Sequence, residues 1–185
     1  MENDVPADSV DRAILEWQAQ RPDEDFMAMA MFGRLSRIVM YQRAIFNRRH
    51  EIAGLTLSDF DVLSTLSRAP EHTLSAGAIA DSSLLTLGAV SMRIDRLERD
   101  GMVTRNRSTE DRRIVLVSLT GQGCELIQRI HPMHVKAQSR LLSDLTDDEV
   151  AALQPLLRKV ERSVRAHEEE VRSAPIGTEE SSSAV

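Results

Sequence analysis

Between Ser75 and Gly121 the chain places two short apolar helices and then one polar-tipped strand pair, an order that few folds accommodate in so few residues. Ala76 to Ser82 has the spacing of a short helix. Leu87 to about Asp100 has that of a second, with Thr86 in the N-cap position and Gly101 as its stop. Val103 to Ser108 and Ile114 to Leu119 are β-branched runs separated by polar residues, the only good hairpin signal in the sequence. Two helices joined by a tight polar turn and followed by a hairpin predict a winged helix-turn-helix, in which the second helix enters a DNA groove.

The faces of that second helix suit the task. Val90, Ile94 and Leu97 fall on one side and anchor it; Met92, Asp95, Arg96 and Arg99 are expected opposite. Gly88, Ala89 and Ser91, beside Thr86 at its N-terminus, are small enough to let the backbone approach DNA where the helix dipole favours phosphate. Arg96 suits a guanine edge or a phosphate. Asp95 would repel phosphate and reads as a residue that orients Arg96 or Arg99. The hairpin tip, Glu110-Asp111-Arg112-Arg113, carries two guanidiniums of the kind that enter a minor groove. Asp111 is placed to hold one of them in a bidentate fork. On these residues alone, a solvated amphipathic helix and an ordinary hydrophilic loop stay open.

The flanks are helical. Ser9 to Gln20 forms one predicted helix, capped by Ser9 and broken at Arg21-Pro22-Asp23. Asp25 to about His50 forms another, with Met27, Met31, Leu35, Ile38 and Ile45 on one stripe. Ser58 opens a helix through Leu66, with Ser58-x-x-Asp61 as a loose capping box. Thr120 caps a long helix with Leu126, Ile130, Met133, Ala137 and Leu141 on one face. Thr146-x-x-Glu149 caps the last helix, whose Val150, Leu153, Leu157, Val160 and Val164 continue to Val171 as a seam that needs a partner helix. The fold class is mainly α with a small β-hairpin. The expected division is 1–57 for an extra N-terminal helix and a dimerisation helix, 58–120 for the winged helix-turn-helix, 121–172 for C-terminal dimerisation helices and 173–185 for a disordered tail.

The 185-residue chain has a net charge of −6, which weighs mildly against nucleic acid, but its distribution matters more. Acids gather at the ends (Glu2, Asp4, Asp8; Glu168, Glu169, Glu170, Glu179, Glu180), while Arg93, Arg96, Arg99, Arg105, Arg107, Arg112 and Arg113 fill the middle. Eight Met and 3% aromatics imply an aliphatic, adaptable core. A single cysteine, Cys124, excludes an internal disulfide framework. The acidic stretch Met1 to Asp11 has no apolar run of a signal peptide, and no segment has the length of a membrane span. A cytoplasmic protein is expected.

The stretches Leu84 to Val103 and Asp111 to Gly123, with Asp-x-Arg at Asp111 to Arg113 and Leu119-Thr120-x-x-Gly123 after it, closely resemble the multiple-antibiotic-resistance regulator (MarR) family. Similarity is strongest over about Ser58 to Gly123. The resemblance implies a homodimer on a palindromic double-stranded DNA operator, held by its N- and C-terminal helices, with Arg113 in the minor groove. It implies a transcriptional regulator, expected to be a repressor released by a small anionic effector, with no cofactor. The extra N-terminal helix and Trp17-x-x-x-Arg21-Pro22-Asp23 resemble the urate-responsive, PecS-like subgroup. That subgroup binds an anionic aromatic ligand with a Trp, an Asp and two Arg; matched motif by motif these are Trp17, Asp61, Arg93 and Arg105. A urate-like aromatic or a polycarboxylate is the effector class implied. Two Arg can hold such an anion and a Trp can stack on its ring.

Other motifs are weaker. His131-x-x-His134 supplies only two metal ligands, so no metal site is expected. Cys124 opens a helix, where an oxidation sensor is conceivable, but the Cys-sensing members of the family carry that residue in the N-terminal helical region. Gly121-x-Gly123 is a turn into a helix. No convergent nucleophile and base is visible, so the chain is not read as an enzyme. The rival readings are a winged-helix assembly protein without a specific DNA target and an oxidation-sensing repressor.

Overall fold

The computed structural model describes residues 7–83, 85–109 and 111–174. The expected disordered tail therefore lies outside the described residues beyond Ala174, as do Glu2, Asp4, Glu179 and Glu180 of the acidic ends and Glu110 of the hairpin tip. Among the described residues, seven α-helices and three strands follow in the order α1 (Ser9–Gln20), α2 (Met27–Glu51), α3 (Leu57–Arg68), β1 (Thr73–Ser75), α4 (Ala76–Ser82), α5 (Leu87–Arg99), β2 (Val103–Arg107), β3 (Val115–Leu119), α6 (Gly121–Arg140) and α7 (Asp147–Ser173). The chain forms two compact units, residues 1–132 and 133–185.

Several boundaries move by a residue or two because a neighbouring side chain makes the better cap. Helix α1 is capped by Asp8, not Ser9. The Asp8 carboxylate accepts from the Val10 and Asp11 amides at 2.8 and 3.0 Å, and Asp11 accepts from the Asp8 amide at 2.9 Å. Helix α3 is capped by Thr56, two residues before Ser58. The Thr56 hydroxyl accepts from the Asp59 amide at 3.2 Å, while Asp59 accepts from the Thr56 amide at 2.7 Å. The Leu57 amide donates to Asn47 on α2 at 2.9 Å, fixing the corner between these helices. At α5 the Thr86 hydroxyl accepts from the Ala89 amide at 3.3 Å, as expected for its N-cap, and Gly101 takes φ +74 just past the end.

The sheet has three strands, not two. β3 pairs antiparallel with β2 (Val103 with Leu119 through Arg107 with Val115) and, on its other edge, with β1 (Thr73 with Ser118). Three residues after Pro70 carry no readable alternation, so only the open edge of β3 makes Thr73 to Ser75 a strand. A 3₁₀ turn over Pro70–His72 leads into it, with Glu71 and His72 at φ 51 and 53.

The core of the first unit is Phe46, Phe60, Val62, Leu63, Leu66, Ile79, Val90, Ile94, Leu97, Val103 and Val117, all buried. The expected α2 stripe is not part of it. Met27 is 75% exposed, Ile38 60% and Ile45 39%, whereas Phe46 and His50 are buried. On α6 the buried positions are Gly123, Leu126, Ile127, Ile130, His134 and Ala137, so Met133 and Leu141 leave the expected face. Helix α7 buries none of its residues, and its Leu153, Leu157, Val164 and Val171 stay exposed.

Candidate nucleic-acid interface

Helix α5 is seated by Val90, Ile94 and Leu97, which the core covers completely. That seat turns its N-terminal half outward. Thr86, Gly88 and Ser91 are exposed, Ala89 is half-buried and Met92 is 63% exposed. The Ser91 hydroxyl donates back to the Leu87 carbonyl at 3.0 Å, so only its lone pairs remain for an outside donor. A strip of small side chains at a helix N-terminus lets a phosphodiester backbone come close to unsatisfied amides.

Arg96 does not lie opposite the buried face. Its Nη2 donates to the Gly54 carbonyl at 2.8 Å, its Nη1 stands 3.3 Å from Asp59 and its Nε 3.7 Å from Asp100. Arg93, on the same helix, stands 3.8 Å from the other Asp59 oxygen. Asp59 has 0% side-chain exposure and completes the α3 capping box with Thr56. This one carboxylate therefore joins the start of α3 to both arginines of α5. Its Oδ1 and the buried Nε of Arg93 make no hydrogen bond among the described residues. The sequence reading missed Asp59 by assigning the same i, i+3 capping spacing to Ser58 and Asp61. Arg96 also lines an open cleft of about 740 Å³ with Asn47, Arg48, Glu51 and Thr56.

Asp95 has a different partner from the one expected. Arg105 on β2 reaches back to it, with its Nη1 3.5 Å from Glu98 as well. The Glu98 carboxylate also accepts from the Arg105 amide at 3.2 Å. Helix α5 is thus clamped to the hairpin strand β2 through Arg105.

At the hairpin tip Asp111 and Arg113 form a fork. Nε of Arg113 donates to Oδ1 at 3.2 Å and Nη2 to Oδ2 at 3.3 Å, while the Arg113 amide donates to Oδ1 at 2.9 Å. The backbone amide first, and the guanidinium second, hold the Asp111 carboxyl below its usual range. Arg113 is nevertheless 91% exposed, and Arg112 beside it is exposed too. The tip thus presents an oriented guanidinium to solvent. The turn is closed by the Ser108 amide on the Ile114 carbonyl and the Ile114 amide on the Asp111 carbonyl, both at 2.9 Å.

The four ligand candidates have separate partners in the single chain. Trp17 stacks on Phe26 at 6.4 Å with Arg21 5.9 Å over its ring. Asp61 is half-buried, and burial raises its carboxyl pKa against the opposing pull of Arg43 and Arg68. Arg93 faces Asp59, not Asp61, and Arg105 holds the α5 clamp. His131 and His134 are joined by no third ligand, since no cluster of three metal-ligating side chains occurs among the described residues. Cys124 is a free, half-buried thiol. No described helix is long and apolar enough to cross a membrane.

With this geometry in place, comparison with known proteins is specific. The family model described as the MarR family matches residues 55–115, which run from just before α3 to the first residue of β3. The HTH-type transcriptional regulator PecS of Dickeya dadantii is 32% identical over 151 residues, covering 80% of this chain and 90% of PecS. The MarR family transcriptional regulator Sco3205 of Streptomyces coelicolor, solved in complex with DNA, superposes with a TM-score of 0.68 at 26% identity, covering 76% of this chain and 92% of that one. BpsR of Bordetella bronchiseptica, solved in a study of how 6-hydroxynicotinic acid regulates its DNA binding, gives a TM-score of 0.64 at 26% identity, covering 70% and 91%.

Proposed function

The chain belongs to the MarR family of DNA-binding transcriptional regulators, and on that premise we propose that it is a repressor whose homodimer holds a palindromic operator and is released by a small anionic effector. The observation that carries the DNA side is the Asp111–Arg113 fork on an exposed hairpin tip. A guanidinium oriented before binding loses less freedom on entering a minor groove. Arg112 adds a phosphate contact, and Thr86, Gly88, Ala89, Ser91 and Met92 form the surface that enters the major groove. Arg96, with its nitrogens already on Gly54, Asp59 and Asp100, serves the interface chiefly by fixing the pitch of α5. The domain roles follow: 58–120 reads DNA, while 1–57 and 121–172 supply the dimer contacts.

The effector side rests on Trp17, Asp61, Arg93 and Arg105. Support comes from the buried, unbonded Nε of Arg93 and from the clamp by which Arg105 sets α5 against the wing. An anion that draws either arginine away shifts the recognition helix, and it must favour the DNA-incompetent arrangement to release the operator. BpsR, whose DNA binding is regulated by 6-hydroxynicotinic acid, is the relative whose likeness supports this class of control. The test is a mobility-shift assay on the protein's own upstream DNA, repeated with urate and with small polycarboxylates. Arg113→Ala should weaken operator binding about tenfold or more and lower the salt slope by about one. An unchanged dissociation constant would reject the minor-groove assignment, and an effector series without influence on it would reject the release mechanism.

A further inference from the structure

The outward surface at the start of α5 has little of the chemistry that reads a guanine. Guanine edges are recognised by side-chain donors to O6 and N7. The Ser91 hydrogen is spent on the Leu87 carbonyl at 3.0 Å, so Ser91 can only accept. Thr86 keeps its hydrogen, but its hydroxyl sits at the cap on the Ala89 amide, where phosphate approaches. Arg93 and Arg96 are turned to Asp59, and Arg105 to Asp95. Arg99 is exposed, yet it ends the helix, roughly two turns past Met92. The N-terminal residues of a recognition helix are the ones that reach base edges.

What this surface does offer is apolar. Met92 is 63% exposed and stands opposite the buried Val90, Ile94 and Leu97. One turn before it, on the same side, is Gly88. A Cβ there would meet nothing within 4 Å, and Gly88 is not among the glycines at positive φ. Neither packing within the chain nor backbone conformation calls for glycine at this position, although alanine is the better helix former. A missing side chain on an exposed helical turn suits close approach from outside. Long helical side chains lean toward the N-terminus, over the residue four positions earlier, which for Met92 is Gly88. The thioether thus leads into the groove. An A·T pair presents the two groups that this surface can take, the thymine 5-methyl for Met92 and the adenine N6 hydrogen for the lone pairs of Ser91.

Given the operator reading above, on which this rests, we propose that Met92 determines sequence specificity by covering a thymine 5-methyl group in each half-site. The test starts from the upstream DNA segment that the full-length protein protects from nuclease. Synthetic duplexes of that segment carry deoxyuridine in place of thymine, one symmetric pair at a time, which keeps the base pairing and removes only the methyl. One such pair should raise the Kd about tenfold, since each buried methyl-sized group changes affinity roughly fourfold. Met92→Ala, a change at an exposed position, should bind that duplex and its thymine parent equally. Its salt slope should match the parent's, because no phosphate contact is lost, in contrast to Arg113→Ala. Specific binding that no deoxyuridine pair weakens would overturn the assignment and leave the regulator reading intact. So would a penalty that persists undiminished in Met92→Ala. Protection of no upstream segment would overturn the operator reading and the role of Met92 together.

Discussion

Asp59 is a carboxylate with no exposed surface and two guanidiniums within 4 Å, and its other interactions are the α3 cap. A buried charge is tolerated only while its partners remain. Asp59→Ala removes the cap acceptor and the one carboxylate that faces both Arg93 and Arg96. Urea unfolding at unchanged slope should show a loss of about 3 kcal/mol or more, and Asp59→Asn, which keeps an acceptor for the Thr56 amide, should lose less. His50 poses the opposite problem. It stacks on Phe60 at 4.5 Å and Phe46 at 6.2 Å, and burial first, then Arg49, lowers its pKa from 6.5. The unfolded chain therefore takes up the proton first. The contribution is complete above pH 6.5 and is lost as pH falls toward the depressed folded value. Replacing His50 by Phe should flatten that part of the stability profile; parallel profiles for the two proteins below pH 6.5 would show that His50 does not carry it.

At the scale of elements, the joint between hairpin and α6 explains why the Leu-Thr-x-x-Gly run has the residues it has. The Thr120 amide donates to the Met102 carbonyl at 3.0 Å, and the Thr120 hydroxyl donates to the Gly101 carbonyl at 2.7 Å while accepting from the Gly123 amide at 3.0 Å. One threonine thus caps α6 and ties it to the turn that ends α5. A Cβ on Gly123 would stand 2.1 Å from the Met102 carbonyl oxygen. Gly123→Ala must push α6 off that turn, and a loss of about 1–3 kcal/mol is expected in thermal or urea unfolding. A variant as stable as the parent would mean that the turn gives way freely. The clamp from Arg105 to Asp95 and Glu98 works at this scale too, since it couples the angle of α5 to the wing strand.

For the whole molecule, the issue is apolar surface that one chain does not cover. Met27, Ile38, Val39 and Met40 on α2 and Leu153, Leu156, Leu157 and Val164 on α7 are exposed. A row of exposed apolar side chains on a helix marks an association site. In the proposed homodimer a second copy supplies matching helices, and two heads would bind a palindrome far better than one through raised effective concentration. Leu157→Glu should shift sedimentation toward the monomer and weaken operator binding in parallel. A variant that still sediments as the parent does would remove the α7 seam from the dimer.

The local rules carried much of the fold: α4, α5 and the hairpin sit where apolar spacing, Thr86 and Gly101 put them, since those signals act within a turn or two of chain. The family signature was likewise legible, because Asp111, Arg113, Thr120 and Gly123 interact over short sequence distances or through a single glycine contact. Tertiary structure alone decided the rest. β1 exists because β3 had an open edge. The choice of Thr56 over Ser58 as cap depended on which carboxylate the core would bury, and it made Asp59 rather than Asp61 the partner of Arg93. Arg96 turned from the outer face to the Gly54 carbonyl, and Arg105 took Asp95. Long side chains find charges from other elements within a radius of several ångströms, and sequence spacing along one helix does not encode which of those charges folding will bring there.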